Sequence, residues 1–275
     1  MNQIEKAQLF QQMHLGPGIL VIANAWDAAS ARVFEHAGVR AVGTGSAGVA
    51  FSHGYPDNEL IPREVLLAAT AEIVRAVQVP VTADILNGLG EGIDAVVRTV
   101  REVIALGAVG VNIEDASDTG GPHLYDAAEQ AEKIRAVCDA VRECGVPIVV
   151  NARTDSFWLK LGDARHQLRE SIARANRYRE AGAHCLFLPS VVDRDTIKTL
   201  VAEIDGPLNI LAAPGCPPVA ELQELGVRRV SEGSGPMRAC MMLAHHIARE
   251  LLDHGTYSRF HEDSVPYAEA NRLFS

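Results

Sequence analysis

A closed (β/α)₈ barrel is the fold this 275-residue sequence predicts, on three observations. Eight short apolar runs alternate without interruption with eight helix-length segments, which favours a parallel barrel over an open sheet. Glycine closes five of the helices, at Gly38, Gly107, Gly145, Gly182 and Gly226, where a left-handed C-cap precedes an αβ turn. The apolar runs end on polar or charged residues, and in such barrels the chemistry collects where strands end and βα loops begin. The length suits one barrel of about 250 residues with short extensions, so residues 1–275 are read as a single domain.

An amphipathic helix over Asn2 to Met13 opens the chain, and Gly16-Pro17-Gly18 breaks it. Strand one is expected over Ile19 to Ala23, with a helix from Ala28 to Ala37, and strand two over Ala41 to Thr44. The small-residue stretch Gly45 to Gly48 is read as a loop. A longer excursion, Phe51 to Leu60, precedes a helix opened by Pro62, and proline in the first turn is a good start signal. The alternation continues with strand Val79 to Asp84, helix 91–106, strand Val109 to Glu114, helix 127–144, strand Pro147 to Arg153 and helix 164–181. It ends with strand Cys185 to Leu188, helix 193–203, strand Leu208 to Ala212, helix 217–225, strand Arg229 to Glu232 and helix 236–252.

Composition removes several classes of function. A formal charge of -10 and the lack of any clustered Lys/Arg run oppose a nucleic-acid surface, which must neutralise phosphates. No apolar span approaches the roughly 18 residues of a membrane helix, and the first residues carry no signal-peptide core, so neither insertion nor export is expected. Five scattered cysteines without metal-type spacing suggest reduced thiols and a cytoplasmic location. The four lysines, Lys6, Lys133, Lys160 and Lys198, all miss strand ends, which disfavours Schiff-base chemistry.

The strand ends offer Asn24 and Asp27, Asp84, Glu114 with Asp115, Arg153 with Asp155, Ser190 and Glu232, with Asp57 in the loop after strand two. Strands three and four form a βαβ unit, which brings Asp84 and Glu114 to one edge of the sheet. Together with Asp57 they supply the oxygen donors that a hard cation such as Mg²⁺ takes. Arg153 on the next strand could pair bidentately with a substrate carboxylate. It could equally form an internal ion pair with Glu114 that only closes the barrel mouth; the surplus of acids favours the metal site. Backbone N–H groups of Thr44 to Gly48 could face an oxyanion, or the stretch could simply be a tight turn. The turn Ser231 to Pro236 looks like a phosphate cradle, although an ordinary βα turn is the favoured reading. His53 and His123, in loops on the same face, are candidates for moving protons.

These residues resemble the isocitrate lyase and phosphoenolpyruvate mutase superfamily nearly end to end. The resemblance rests on Asn24-Ala25-Trp26-Asp27, Gly43-Thr44-Gly45-Ser46-Ala47-Gly48, Gly54-Tyr55-Pro56-Asp57, Asp84 with Gly88-Leu89-Gly90, Asn112-Ile113-Glu114-Asp115, Asn151-Ala152-Arg153-Thr154-Asp155, and Gly226 to Ser231. It implies a barrel whose last helix is exchanged between the subunits of a homodimer or homotetramer. It implies Mg²⁺ held by Asp84 and Glu114, with Asp57 acting through water. The substrate would lie on Thr44, Gly45, Ser46, Ala47, Asp84 and Arg153, and Arg153, Asp57 and His123 would serve catalysis.

Three departures narrow the activity. Leu86 stands where the family usually carries a second acid, with Leu89 in place of an aromatic residue, so weaker metal binding is expected. The lyase signature Lys-Lys/Arg-Cys-Gly-His is absent after Glu114, which opposes true isocitrate or methylisocitrate lysis. The sixth strand ends at Ser190 where lyases place a glutamate. The leading expectation is a Mg²⁺-dependent lyase or decarboxylase that cleaves a C–C bond beside the carbonyl of a small 2-oxo acid. A phosphonomutase or phosphonopyruvate-type C–P enzyme is second, and a non-catalytic metabolite-binding barrel third.

Overall fold

A computed structural model of the protein describes residues 1–57, 61–117, 121–262 and 264–274. The end of the excursion before Pro62, residues 58–60, and residues 118–120 after Glu114 lie outside the described residues. In chain order the first half comprises α1 (Gln3–Leu15), β1 (Leu20–Ala25), α2 (Ala28–His36), β2 (Val42–Thr44), α3 (Ser46–Ser52), α4 (Arg63–Ala76), β3 (Val81–Asp84), α5 (Gly92–Ala105) and β4 (Gly110–Glu114). There follow β5 (Ala116–Ser117), β6 (His123–Leu124), α6 (Ala127–Cys144), β7 (Val149–Arg153), α7 (Ala164–Glu180), β8 (Cys185–Leu188), α8 (Arg194–Glu203), β9 (Leu208–Leu211), α9 (Val219–Leu225), β10 (Arg229–Ser231), α10 (Gly235–His254), α11 (Arg259–Glu262) and α12 (Tyr267–Leu273).

Eight parallel strands close into a barrel in the order β1-β2-β3-β4-β7-β8-β9-β10, so the predicted fold stands. The five helix-closing glycines all have positive φ, from 70° at Gly145 to 110° at Gly182, as a left-handed cap requires. Two local expectations change. Gly45 to Gly48 is not a loop: Ser46 starts the short helix α3, which small residues can build when tertiary contacts hold it. The segment after Glu114 contains a two-residue antiparallel hairpin, β5 with β6, too short to leave any periodicity in the sequence.

Packing explains how the barrel is sealed. Asn2 and Glu5 form a reciprocal capping box that starts α1. The helix then lays Ala7, Phe10 and Met13 against Leu20, Ile22, Val109, Val149 and Cys185, at the end of the barrel opposite the strand C-termini. Phe10 is fully buried, a contribution of about 2–3 kcal/mol. Its ring takes the space a side chain at Gly110 would need, since a Cβ there would stand 2.7 Å from Phe10 Cε1.

His14, one turn further along α1, is buried; its Nδ1–H donates to the Phe10 carbonyl at 2.7 Å, and Nε2 has no partner. Burial, reinforced by the Arg229 charge, pushes its pKa down to about 3, so the folded state holds it neutral. The unfolded chain binds the proton from about pH 6.5 downward, so this histidine favours the folded state above that pH and costs stability below it. Denaturant titration should therefore show wild type losing ground to His14→Leu by about 1.4 kcal/mol per pH unit between pH 6.5 and 4. Parallel stability curves would contradict a buried neutral imidazole.

The last helix departs from the barrel. None of the 20 residues of α10 is buried, and Met241, Met242, Leu243, Leu251 and Leu252 are 41–76 % exposed. Among the described residues no helix is long and apolar enough to cross a membrane.

Candidate active site

Inward-facing polar residues run in register across three neighbouring strands. Asp84 of β3 pairs with Asn112 of β4, and Asn112 with Asn151 of β7; their side chains are linked from Asn112 Nδ2 to Asp84 Oδ1 at 3.2 Å and from Asn151 Nδ2 to Asn112 Oδ1 at 2.9 Å. Two residues on, strand alternation returns the side chain to the same face, and Glu114 lies opposite Arg153. Their head groups form an ion pair at 2.8 Å, while Arg153 Nε holds Asp155 Oδ1 at 2.7 Å. The ion pair weighed from the sequence therefore exists. It does not exhaust the acids.

Asp84 is held rigidly. The Ser46 amide and hydroxyl donate to Oδ2 at 3.2 and 2.8 Å, and the Leu86 amide donates to Oδ1 at 3.3 Å. With the Asn112 contact these four bonds occupy the roughly four lone-pair directions of a carboxylate. Thr44 fixes the strand end from the other side, its Oγ1 accepting from the Asp84 amide at 2.8 Å. The Gly45 amide is spent on the Ala25 carbonyl, which leaves Ala47 to present an amide free of the sheet in the first turn of α3.

Asp57, Asp84 and Arg153 line a cavity of about 100 Å³ together with Ser46, Asn112 and Arg229. An adjoining cavity of about 90 Å³ is walled by Asp57, Glu114, Arg153, Asp155, Leu86 and Trp158. The structure thus brings Thr44, Gly45, Ser46, Ala47, Asp57, Asp84, Glu114 and Arg153 to one place. His123, exposed on β6, lines neither of these but a neighbouring cavity of about 520 Å³ with Tyr125 and Lys133, which shares Leu86 and Ser117 with the second. His53 ends α3 with its ring on the Val49 carbonyl. The turn Ser231 to Pro236 spends its Glu232 and Gly233 amides on Asn24 Oδ1, at 3.0 and 2.8 Å, in keeping with the favoured reading of an ordinary βα turn.

Charge in the cavity is unbalanced toward the acids. Burial pushes the Glu114 carboxyl well above the usual range; Arg153 opposes this, and Asp155, Asp84 and Asp57 add to it. Asp155 is likewise pushed up to about 6, first by burial, with Arg153 opposing and Asp115 and Asp84 reinforcing. Burial pulls Arg153 down, but Asp155, Glu114 and Asp84 together more than offset it and keep the guanidinium charged.

The roles of residues near Arg153 escaped the sequence reading, although Asp155 itself stood among the strand-end residues. Asp155 is the second clamp on Arg153, and its Oδ2 is buried without a partner. Trp158 and Phe187 each stand 5.6 Å from the guanidinium, a cation–π setting. The Asp155 clamp could have been found from the i, i+2 spacing to Arg153; Trp158, in a turn, leaves no such sign. Asp115, adjacent to Glu114, points the other way into a buried network, accepting from the Asp155 amide, Tyr178 OH at 2.7 Å and Arg174 Nη1 at 3.2 Å.

Residues 10–252 match the family model described as phosphoenolpyruvate phosphomutase. The chain belongs to that family, within the isocitrate lyase/phosphoenolpyruvate mutase superfamily of lyases and mutases. Its fold is similar to a crystal structure of a candidate lyase/mutase from Burkholderia cenocepacia, with TM-score 0.92, 37% identity, and coverage of 99% of this chain and 96% of that one. It is 28% identical over 272 residues to the 2-methylisocitrate lyase of Halalkalibacterium halodurans, covering 95% of this chain and 87% of the relative. It is 29% identical over 242 residues to the oxaloacetate decarboxylase of Bradyrhizobium sp., covering 84% and 79%.

The donor set suits a hard cation. Asp57, Asp84 and Glu114 offer only oxygen, and a cation would favour the charged form of Glu114, whose carboxyl is raised first by burial and then by Asp155, Asp84 and Asp57. Among the described residues no three acidic, His or Cys head groups converge as a closed coordination sphere. Mg²⁺ asks less of a protein than a closed sphere, since it takes one or two carboxylates and keeps several waters.

Proposed function

We propose that the protein is a Mg²⁺-dependent lyase or decarboxylase that cleaves a C–C bond beside the carbonyl of a small 2-oxo acid. The observation that carries this reading is that two adjoining cavities share Asp57 and Arg153, one lined also by Asp84 and the other by Glu114. Asp84 and Glu114 would hold the cation, with Asp57 acting through water; Asp84 would give up one of its present hydrogen bonds to do so, since its lone pairs are already engaged. The metal's chemistry would be that of an electron sink, lowering the cost of enolate formation on the 2-oxo acid.

The chain's own groups orient the substrate. Arg153 gives Nε and Nη1 to Asp155 and Glu114, which leaves Nη2 to grip a carboxylate in a fixed plane. Ser46 and Ala47 line the same cavity, and the Ala47 amide is the donor there not spent on Asp84 or the sheet. Buried Phe187 helps keep water from the guanidinium and strengthens these contacts. A screen for pyruvate release from oxaloacetate, substituted malates and phosphonopyruvate tests the reading. Release from a C–C substrate, abolished by EDTA and restored by Mg²⁺, is expected. Release from phosphonopyruvate alone would move the activity to C–P bonds.

Leu86 offers a sharper probe. It occupies φ 50°, a region asparagine and aspartate tolerate better than leucine, and packs with Val49, Ala50, Ile61, Leu66 and Ala69 beside the second cavity. Leu86→Asp should tighten Mg²⁺ at least tenfold by calorimetry while lowering stability by about 2 kcal/mol through lost packing. Unchanged Mg²⁺ affinity in a folded variant would show that this side chain does not face the metal.

The exposed apolar side of α10 supports a homo-oligomer in which a second copy covers it, in keeping with the helix exchange the family resemblance implies. The five unpaired cysteines are compatible with a reducing cytoplasm.

A further inference from the structure

Beneath Asp84 the barrel holds a cation that the reading above does not use. Arg229 opens β10, and strand alternation puts it on the inward face, one layer below Ser231. It is 3 % exposed, yet it lines the cavity floor with Thr82, Asp84 and Asn112. Its Nε and Nη1 have no hydrogen-bond partner, and among the described residues no carboxylate forms an ion pair with it. Below it lie the Phe10 ring, 6.0 Å from the guanidinium carbon, and the neutral His14. The Cys185 thiol nearby is kept protonated by burial, its pKa pushed up to about 11.

A desolvated guanidinium without a counter-ion is costly, and an isolated protein rarely keeps one without a use. Arg153, by contrast, is already neutralised by two acids. Around Arg229 further polar atoms lack partners: Thr82 Oγ1 faces the same cavity, and Asn209, its register neighbour on β9, has Oδ1 unpaired. Asn209 Nδ2 now donates to Ser231 Oγ at 3.1 Å; turning the amide over, with the serine hydroxyl donating instead, would offer an N–H₂ to the same space. Burial pulls the Arg229 pKa down only to about 10, with Cys185 and Asp84 opposing, so the group is charged at neutral pH.

We propose that Arg229 forms an anion subsite at the floor of the barrel cavity, where it binds a carboxylate of the ligand that enters deepest. A small inorganic anion such as chloride has the same chemistry, and the experiment separates the two. The subsite deepens the 2-oxo acid reading and rests on it for the identity of the ligand. It adds that the preferred ligand is a small dicarboxylate, with one carboxylate at the Arg153 level and one on Arg229.

The test uses the full chain as wild type, Arg229→Met and Arg229→Lys, in halide-free buffer with Mg²⁺. Malonate and, separately, chloride are titrated by calorimetry and by thermal shift. Malonate affinity should fall at least tenfold in Arg229→Met and less in Arg229→Lys. Without anion, the melting temperature of Arg229→Met should equal or exceed that of wild type, because an unpaired buried charge has been removed. A purely structural arginine would show the reverse, a lower melting temperature with malonate affinity within threefold of wild type, and that result overturns the proposal. Chloride protection lost in Arg229→Met with malonate affinity unchanged would overturn the ligand carboxylate as occupant. If Arg229→Met fails to fold, Arg229→Lys with unaltered malonate affinity is the overturning result. Carboxylate binding that depends on Arg229 in a protein inactive in the pyruvate screen would uphold the subsite and reject the lyase. Turnover with no dependence on Arg229 would do the opposite.

Discussion

Arg153→Met should lose about 3–5 kcal/mol of stability at pH 7.5, because it strands two desolvated carboxylates, Glu114 and Asp155, that now share one guanidinium. Oxalate affinity should fall as well, by about 2–5 kcal/mol, since the ligand carboxylate loses its partner. The stability defect should depend on pH in a particular direction. Burial already raises both acids, and removing the cation raises them further. A carboxyl with a folded pKa above its unfolded value near 4 penalises folding above the folded pKa, and the penalty disappears as pH falls toward 4. The gap between wild type and Arg153→Met should therefore narrow from pH 8 to pH 5 in urea titrations. A defect under 1 kcal/mol, flat with pH, would reduce the trio to a surface ion pair.

The second large effect is expected in α10. A helix that leaves five large apolar side chains exposed calls for a cover, and a second copy would supply a matching surface through two-fold symmetry. Light scattering should give an oligomer at micromolar concentration. Leu243→Glu combined with Leu251→Glu places four buried charges in each two-fold contact and should weaken association at least a hundredfold, halving the apparent mass or more. A monomeric wild type would contradict the assignment.

Much of this was legible in the residues because barrel strands are buried on both faces and read as uninterrupted apolar runs, while glycine marks each helix end. Alternation also placed Asp84, Asn112, Glu114, Asn151 and Arg153 on one face, and the register confirms the juxtaposition. What the pattern could not convey is orientation and distance. Nothing in the apolar period of α10 distinguishes a helix docked on its own barrel from one that stands away. Gly45 to Gly48 has too little side chain to declare a helix, so the Ser46 contacts to Asp84 were invisible. Asp115 and Asp155, similar neighbours of strand-end residues, differ only in which partners they reach, Tyr178 and Arg174 for one and Arg153 for the other. Arg229 sits at a strand start, away from the end where chemistry is sought.

Calorimetric titration of oxalate into the wild-type protein, once with saturating Mg²⁺ and once with EDTA, tests the central claim most directly. Oxalate presents the paired oxygens of a 2-oxo acid without a bond to cleave. The account predicts one site per chain, at least tenfold tighter with Mg²⁺ than without. No binding at millimolar oxalate, or equal affinity under both conditions, would contradict a magnesium-assisted 2-oxo acid site between Asp84 and Arg153.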